Sequence, residues 1–224
     1  MNSIDFKSLN NNYAKYEDCE GSNKLLVVFS YYDQPLNVLS HYRFLANTKC
    51  KKLFFHSGKN DWFQNGIPGI CDSFLELINL GHQINKYFLG HELLFLGHSM
   101  GAFAALGIGV KSNASRILAS VPEYKLMQKG SRSSRVLKSE NITFLDLSEI
   151  LSNNKNTEII IINGNKDNFD CQSSKEIKNF PLVEVININS GHGTFPYLKN
   201  INKLNETLEG FVTGRRLNDV LANC

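Results

Sequence analysis

The chain has 224 residues, of which 42% are hydrophobic and 20% charged, a composition that suits one α/β domain with an ample core. The formal net charge of +3 is too small to indicate nucleic-acid binding by itself. No apolar run approaches the ~20 residues of a membrane span, and the N-terminus lacks the apolar stretch of a signal peptide. We therefore expect a cytoplasmic protein with no nucleic-acid partner.

Five scattered cysteines form no C-x-x-C pair, which argues against a disulfide framework and against a zinc site. They are Cys19, Cys50, Cys71, Cys171 and Cys224. We expect neither a metal nor a cofactor. The sequence leaves the oligomeric state open.

Strands and helices are predicted to alternate along the chain. Residues 1–23 are polar and predict an edge strand or a loose arm. Apolar runs predict strands at 24–30, 52–56, 93–97, 116–120, 158–163 and 183–188. Helices are predicted at 36–47, 70–88, directly after residue 99, and at 196–213. Such alternation gives a mostly parallel sheet with helices on both faces, right-handed crossovers, and chemistry at the carboxyl ends of the strands.

A G-x-S-x-G turn at residues 97–101 links the predicted strand at 93–97 to a helix of small residues. In such a turn the serine takes a strained backbone position and its hydroxyl projects from the edge of the sheet. Ser99 is therefore the candidate nucleophile. The flanking glycines are needed where a Cβ atom would collide with a neighbouring element. The backbone N–H of Met100 is the candidate first donor to a developing oxyanion.

A serine hydroxyl needs a base, and the base needs an orienting acid. The last two predicted strands run into Asp167 and His192, which gives the chain order Ser99, Asp167, His192. Asp170 is the rival acid, and would otherwise cap a helix over 171–179. His98 is expected to pack beside the turn. The histidines of earlier elements are expected on the surface or in the core: His41, His56, His82 and His91.

The G-x-S-x-G turn, the Gly164-x-x-Asp167 segment and the Gly-His-Gly segment at 191–193 together resemble the α/β-hydrolase superfamily over nearly the whole chain. Three shorter features resemble small hydrolases encoded beside bacterial surface-polysaccharide genes. These are the strand ending in Phe29-Ser30, the loop at 61–69, and the strand ending in Ser120-Val121-Pro122. Ala102 departs from the pattern, since a second glycine is common there. The short span between residues 99 and 167 leaves little room for a cap, so the resemblance implies a minimal cap or none, with residues 124–156 as a small lid.

Other residues are expected to complete the site around Ser99. The second oxyanion donor is expected in the turn after the first parallel strand, where the Tyr31 N–H is preferred and Tyr32 is second; otherwise both line the pocket. Asp61 and Trp62 are candidates for substrate contact, with a loop anchor as the alternative role for the tryptophan. Five basic residues in the lid segment would recognise an anionic glycan or phosphate, or form a solvated face: Lys125, Lys129, Arg132, Arg135 and Lys138.

The sequence thus predicts a serine esterase that forms an acyl-enzyme. The resemblance implies an O-acyl substrate, such as an O-acetyl group on a sugar or surface glycan precursor. Three alternatives remain open: an O-acyltransferase, a thioesterase, and a binding protein that keeps the fold without the chemistry.

Overall fold

A computed structural model describes residues 4–222 and 224 of the chain; residues 1–3 of the predicted arm lie outside the described residues. Its centre is one seven-stranded sheet. The strands are β1 (Ala14–Glu17), β2 (Lys24–Phe29), β3 (Lys51–Phe55), β4 (Glu92–His98), β5 (Arg116–Ser120), β6 (Glu158–Gly164) and β7 (Val183–Ile188). They lie in the order β1-β3-β2-β4-β5-β6-β7. Only the edge strand β1 runs antiparallel to its neighbour, β3.

The central strands are apolar along both faces because both faces are covered. In β2, Leu25, Val27 and Phe29 belong to one hydrophobic cluster, while Leu26 and Val28 belong to a second cluster on the opposite face. This follows from the two-residue period of a strand, which sends successive side chains to opposite faces. Continuous apolar runs are therefore what a parallel sheet between two helical layers requires.

Nine α-helices are assigned within the described residues. They are α1 (Tyr42–Leu45), α2 (Phe74–Tyr87), α3 (Met100–Lys111), α4 (Ser133–Val136), α5 (Ser148–Ser152), α6 (Asn168–Ile177), α7 (Thr194–Asn200), α8 (Leu204–Thr213) and α9 (Leu217–Leu221). Helices α2, α3, α5 and α6 contribute to the first cluster, and α1, α7, α8 and α9 to the second. The predicted parallel sheet with helices on both faces is confirmed.

Three helix predictions were wrong in extent. The helix predicted at 70–88 begins only at Phe74, where Ser73 is the N-cap and its side chain accepts the Glu76 N–H. The predicted helix at 196–213 is interrupted between α7 and α8, where Asn202 has a φ of 58° in the left-handed region. Of the helix predicted at 36–47, only α1 is helical. The Gln34 side chain bonds to the Val38 carbonyl and to the Ser40 hydroxyl, and these bonds fold the residues before α1 into a turn. His41 then enters α1 with a φ of 57°.

The segment between β5 and α5 is short, and carries α4 and one 3₁₀ turn (Ser139–Asn141). Its first part is fixed by Glu123, a buried carboxylate that accepts the backbone N–H groups of Arg132 and Ser133 at 2.7 and 3.1 Å. No helix among the described residues is long and apolar enough to cross a membrane.

Candidate active site

The turn between β4 and α3 holds Ser99 in a strained conformation. Its φ of 52° and ψ of −112° are unusual for a residue with a side chain. Neighbouring structure maintains this geometry, since the Ser99 N–H donates to the Ser120 carbonyl on β5 at 2.8 Å. The predicted serine turn is therefore present in the fold.

The glycines beside Ser99 are required by close backbone approaches. A Cβ atom at position 97 would lie 2.2 Å from the Gly101 carbonyl oxygen, and one at position 101 would lie 2.6 Å from the Ser30 carbonyl oxygen. Neither contact is sterically possible. Ala102, where the sequence departs from the pattern of the superfamily, is fully buried in the core.

Three side chains form a continuous hydrogen-bonded chain at the carboxyl edge of the sheet. Ser99 Oγ lies 2.7 Å from His192 Nε2, and His192 Nδ1 lies 2.8 Å from Asp170 Oδ2. With Nδ1 protonated, the imidazole donates to the carboxylate and accepts from the serine hydroxyl. The Asp170 side chain is only 2% exposed, so its hydrogen bond to the imidazole is shielded from water. The arrangement is that of a nucleophile, a base and an orienting acid.

The structure exchanges the expected positions of the two aspartates. Asp167 is the N-cap of α6, with its Oδ1 accepting the Asp170 N–H at 3.0 Å and its Oδ2 accepting from Arg132 at 2.9 Å. The prediction that Asp167 contacts His192 was wrong. The physical reason is the start of α6: the extended residue before the helix turns its carboxylate onto the helix amides. The residue three positions later carries the carboxylate that reaches the imidazole.

Arg132 links both aspartates to the segment before α5. Its guanidinium donates to Asp167 at 2.9 Å and to Asp170 at 3.3 Å. Burial by itself would raise the pKa of Asp167, but the Asp170 N–H and the Arg132 guanidinium outweigh it and hold that pKa below its usual value. The sequence placed Arg132 in a basic run, and no pattern in that run indicated a carboxylate partner.

A cleft of about 350 Å³ opens above the serine. Its lining residues are Tyr31, Tyr32, Trp62, His98, Ser99, Arg132, Arg135, Val136 and His192. It therefore contains three of the residues expected near the substrate, together with two arginines and a valine of the predicted lid segment.

Trp62 and Tyr32 form an aromatic wall of this cleft. Their ring centres are 6.0 Å apart; Tyr32 is 41% exposed, whereas Trp62 is fully buried. The indole Nε1 has no hydrogen-bond partner among the described residues.

Asp61 plays a different part from the predicted one. Its buried carboxylate accepts the Phe63 N–H at 3.0 Å and the Asn65 side-chain amide at 2.8 Å, and it does not line the cleft. These bonds satisfy the backbone of the loop that carries Trp62. Asp61 therefore shapes the loop, and the expected substrate contact is not what the structure shows.

The two candidate oxyanion donors lie on either side of the serine. Met100 is the first residue of α3, and the first N–H groups of a helix lack acceptors within the helix. Tyr31 lines the cleft, and its N–H makes one long bond of 3.4 Å to the Gln34 side chain. Both assignments remain predictions.

His98 is a packing residue, as the sequence suggested. Its Nδ1 lies 2.9 Å from Ser120 Oγ, and its ring stacks on Phe195 with centres 5.2 Å apart. Burial, with a smaller contribution from His192, lowers the pKa of His98 well below its ordinary value. No group of three His, Cys, Asp or Glu side chains in residues 4–222 and 224 is arranged to hold a metal ion.

Solved structures of the same architecture identify the fold. The chain is similar to the capsule O-acetyltransferase of Neisseria meningitidis serogroup A, with 17% identity over 93% of this chain and 98% of that one and a TM-score of 0.65. It is also similar to MenH from S. aureus (13% identity, 90% and 98% covered, TM-score 0.62) and to the esterase EaEST from Exiguobacterium antarcticum (14%, 90% and 95%, 0.62). No protein-family model and no curated protein sequence matches the chain.

The chain therefore has the α/β-hydrolase fold, as its motifs predicted, with a minimal cap. One of these neighbours is a capsule enzyme, in line with the resemblance to hydrolases encoded beside surface-polysaccharide genes. Sequence identities this low establish only the fold, so the chemistry must be argued from the geometry of the site.

The two aspartates make a direct test of the acid. We expect Asp170→Asn to slow the reaction of Ser99 with a fluorophosphonate by about 10³-fold, because the imidazole loses the partner that fixes its tautomer. Asp167→Asn retains a side-chain oxygen for the helix cap and should cost less than about tenfold. Second-order labelling rates of both variants provide the measurement. A larger loss in Asp167→Asn than in Asp170→Asn would contradict the assignment.

Three imidazoles predict a pH-dependent stability: His98, partly buried His41, and buried His56, whose pKa is also lowered by burial. Burial lowers the pKa of His41 from 6.5 to about 4 and that of His98 well below 6.5. Below pH 6.5 the unfolded chain binds protons that the folded chain does not, so the free energy of unfolding should fall as the pH drops from 6.5 towards 4. Each group contributes at most about 1.4 kcal/mol per pH unit.

Urea unfolding at pH 7.5, 6 and 5 measures this slope. His41→Gln should flatten it, whereas His82→Gln, which removes an exposed imidazole, serves as the matched control and should not. Equal slopes in wild type and His41→Gln would show that His41 does not contribute.

Proposed function

We propose that the chain is a single-domain serine esterase that cleaves an O-acyl ester through an acyl-enzyme. The observation that carries this proposal is the chain of hydrogen bonds from Asp170 through His192 to Ser99, which ends in the cleft. The strained serine turn and the esterase and acetyltransferase neighbours of the same fold support it.

The geometry suits general-base activation of the serine. As Ser99 Oγ attacks the ester carbonyl, His192 Nε2 takes its proton, and Asp170 stabilises the imidazolium through Nδ1. The tetrahedral intermediate then collapses, His192 returns the proton to the leaving alcohol, and the acyl group stays on Ser99. A water activated by the same imidazole releases the acid.

The oxyanion of each tetrahedral intermediate would be held by the backbone N–H groups of Met100 and Tyr31. Met100 offers the unpaired N-terminal end of α3, where the helix dipole favours negative charge. The Tyr31 N–H must exchange its long bond to Gln34 for a shorter one to the substrate. The Gln34 side chain also bonds Val38 and Ser40, which fixes the loop that carries Tyr31.

We propose an acylated sugar as the substrate class, with O-acetyl as the acyl group. Tyr32, which is exposed and packs against the buried Trp62, offers a ring face on which a sugar can stack. The cleft is small enough to favour a short acyl group. Residues 124–156 would act as the small lid, since Arg132, Arg135 and Val136 of this segment line the cleft.

The nucleophile is tested by comparing wild type with Ser99→Ala. We expect fluorophosphonate labelling to vanish in the variant and hydrolysis of p-nitrophenyl acetate to fall by about 10⁴-fold or more. In a p-nitrophenyl ester series, acetate should give the highest kcat/KM. The variant should unfold at the same urea concentration as wild type, which controls for misfolding.

Absence of labelling in folded wild type would contradict the esterase proposal and bring forward the binding-protein alternative. Full activity of Ser99→Ala towards every ester that wild type cleaves would exclude Ser99 as the nucleophile.

An acyltransferase is the second candidate, and a second cleft favours it. This cleft of about 310 Å³ shares Tyr31 and His98 with the first and is lined further by Phe44, Phe195 and Lys199. Ser99 lines only the first cleft, so a ligand in the second would have to reach the serine past Tyr31 and His98, which line both. A structure of the meningococcal acetyltransferase contains CoA, which makes an acyl thioester a reasonable donor to test.

Product partitioning separates transfer from hydrolysis. With acetyl-CoA and an excess of a sugar acceptor, an acyltransferase should give acetylated sugar faster than free acetate, because the bound acceptor competes with water for the acyl-enzyme. Release of acetate at a rate independent of the sugar would support a hydrolase or thioesterase. Lys199→Gln should raise the KM for acetyl-CoA several-fold if the second cleft holds the donor phosphates.

A further inference from the structure

We propose that the cleft binds an ester that carries an anionic group, a carboxylate or a phosphate, and that Arg135 is the residue that binds it. The inference rests on the proposed esterase function and narrows its substrate class. It begins from the basic run in the lid segment, which the catalytic mechanism leaves without a role.

The five basic residues of that run have different surroundings in the structure. Only Arg132 and Arg135 line the cleft with Ser99. Lys125 lies 3.7 Å from Asp146. Lys129, Arg135 and Lys138 are all exposed, but of these three only Arg135 lines the cleft. If the basic run formed only a solvated face, its guanidinium groups would not line the cleft that contains Ser99, whereas two of them do.

The two arginines differ in what they already bind. Arg132 is engaged with Asp167 and Asp170, so its charge is matched within the protein. Arg135 pairs with no carboxylate among the described residues. The one hydrogen bond that its guanidinium makes there is to the Gly130 carbonyl at 3.2 Å. Most of its donors therefore remain available, and a guanidinium binds carboxylate and phosphate oxygens through two parallel bonds.

The backbone of the helical turn that carries Arg135 is fixed before any ligand binds. The buried Glu123 carboxylate fixes the backbone N–H groups of Arg132 and Ser133 at the start of α4. Ser133 Oγ further accepts the Met127 N–H at 2.8 Å. Because this backbone is already ordered, binding through Arg135 does not have to order a loop, and only the freedom of the side chain is lost.

The walls of the cleft differ in chemical character. Arg135 and the apolar Val136 line the cleft from the lid segment, and Trp62 and Tyr32 line it from the loops after β3 and β2. A ligand with a ring and an anionic substituent matches this mixture of surfaces. A neutral ester would leave the guanidinium without an anionic partner.

Matched pairs of esters test the proposal. On the alcohol side, 3-acetoxybenzoate and 3-acetoxyphenyl phosphate are compared with neutral methyl 3-acetoxybenzoate; on the acyl side, 4-nitrophenyl succinate is compared with 4-nitrophenyl pentanoate. The readout is the ratio of kcat/KM for the anionic ester to that for its neutral partner. Comparing this ratio between variants cancels the intrinsic reactivity of each ester.

We expect Arg135→Gln to lower the ratio about tenfold for at least one pair, which is the size of a lost charge-assisted hydrogen bond. Arg135→Lys should recover part of it. Lys129→Gln, which removes the same charge from the same segment outside the cleft, should leave the ratio at its wild-type value. The pair that responds tells whether the anion belongs to the alcohol or the acyl part, and whether it is a carboxylate or a phosphate.

An unchanged ratio in Arg135→Gln for every pair would overturn the proposal. An equal loss in Lys129→Gln would also overturn it, because the effect would then reflect only the overall charge. If wild type cleaves none of these esters, fluorophosphonate labelling decides the esterase proposal separately. Calorimetric binding of 3-hydroxybenzoate and 3-hydroxyphenyl phosphate then decides the anion site, which is overturned if Arg135→Gln binds both as tightly as wild type.

Discussion

The backbone at Gly97 and Gly101 approaches its neighbours so closely that neither residue has room for a Cβ atom. This contact sets α3 against the end of β2 and forces Ser99 into a conformation that an ordinary turn would avoid. A similar contact occurs across the sheet, where a Cβ atom at Gly164 would lie 2.1 Å from the Gly191 carbonyl oxygen. The serine and the imidazole that faces it are thus positioned by backbone contacts that only glycine permits.

Charged side chains hold Asp170 in its position beside His192. One oxygen of the Asp170 carboxylate meets His192 and the other meets Arg132, so the residue that orients the imidazole is held from two sides. Arg132 belongs to the segment between β5 and α5, which Glu123 fixes to the sheet edge. The segment between β5 and α5 therefore contributes a charge beside Asp170 and His192 as well as a wall of the cleft. A substitution in this segment can alter the site without touching the nucleophile.

The features that sequence patterns predicted well were those with strict local requirements. Continuous apolar runs identified all the parallel strands, and the glycine spacing identified the Ser99 turn. The exchange of Asp167 and Asp170 depended on the residue at which α6 begins, and helix boundaries are weakly encoded in a single sequence. Asp61 was misread for a related reason. Its partners, Phe63 and Asn65, are its own neighbours, so the carboxylate is consumed by the loop that presents Trp62.

The fold and the hydrogen-bonded chain at Ser99 are common to hydrolysis and transfer, so neither can decide between them. The outcome depends on what reaches the acyl-enzyme first, water or a bound hydroxyl. Tyr31 and His98 line both clefts, so they are the walls that the two clefts share. His98 is fixed by Ser120 and Phe195, whereas Tyr31 sits on a loop held by Gln34. The loop of Tyr31 is thus a wall that both clefts share and that Gln34 holds in place.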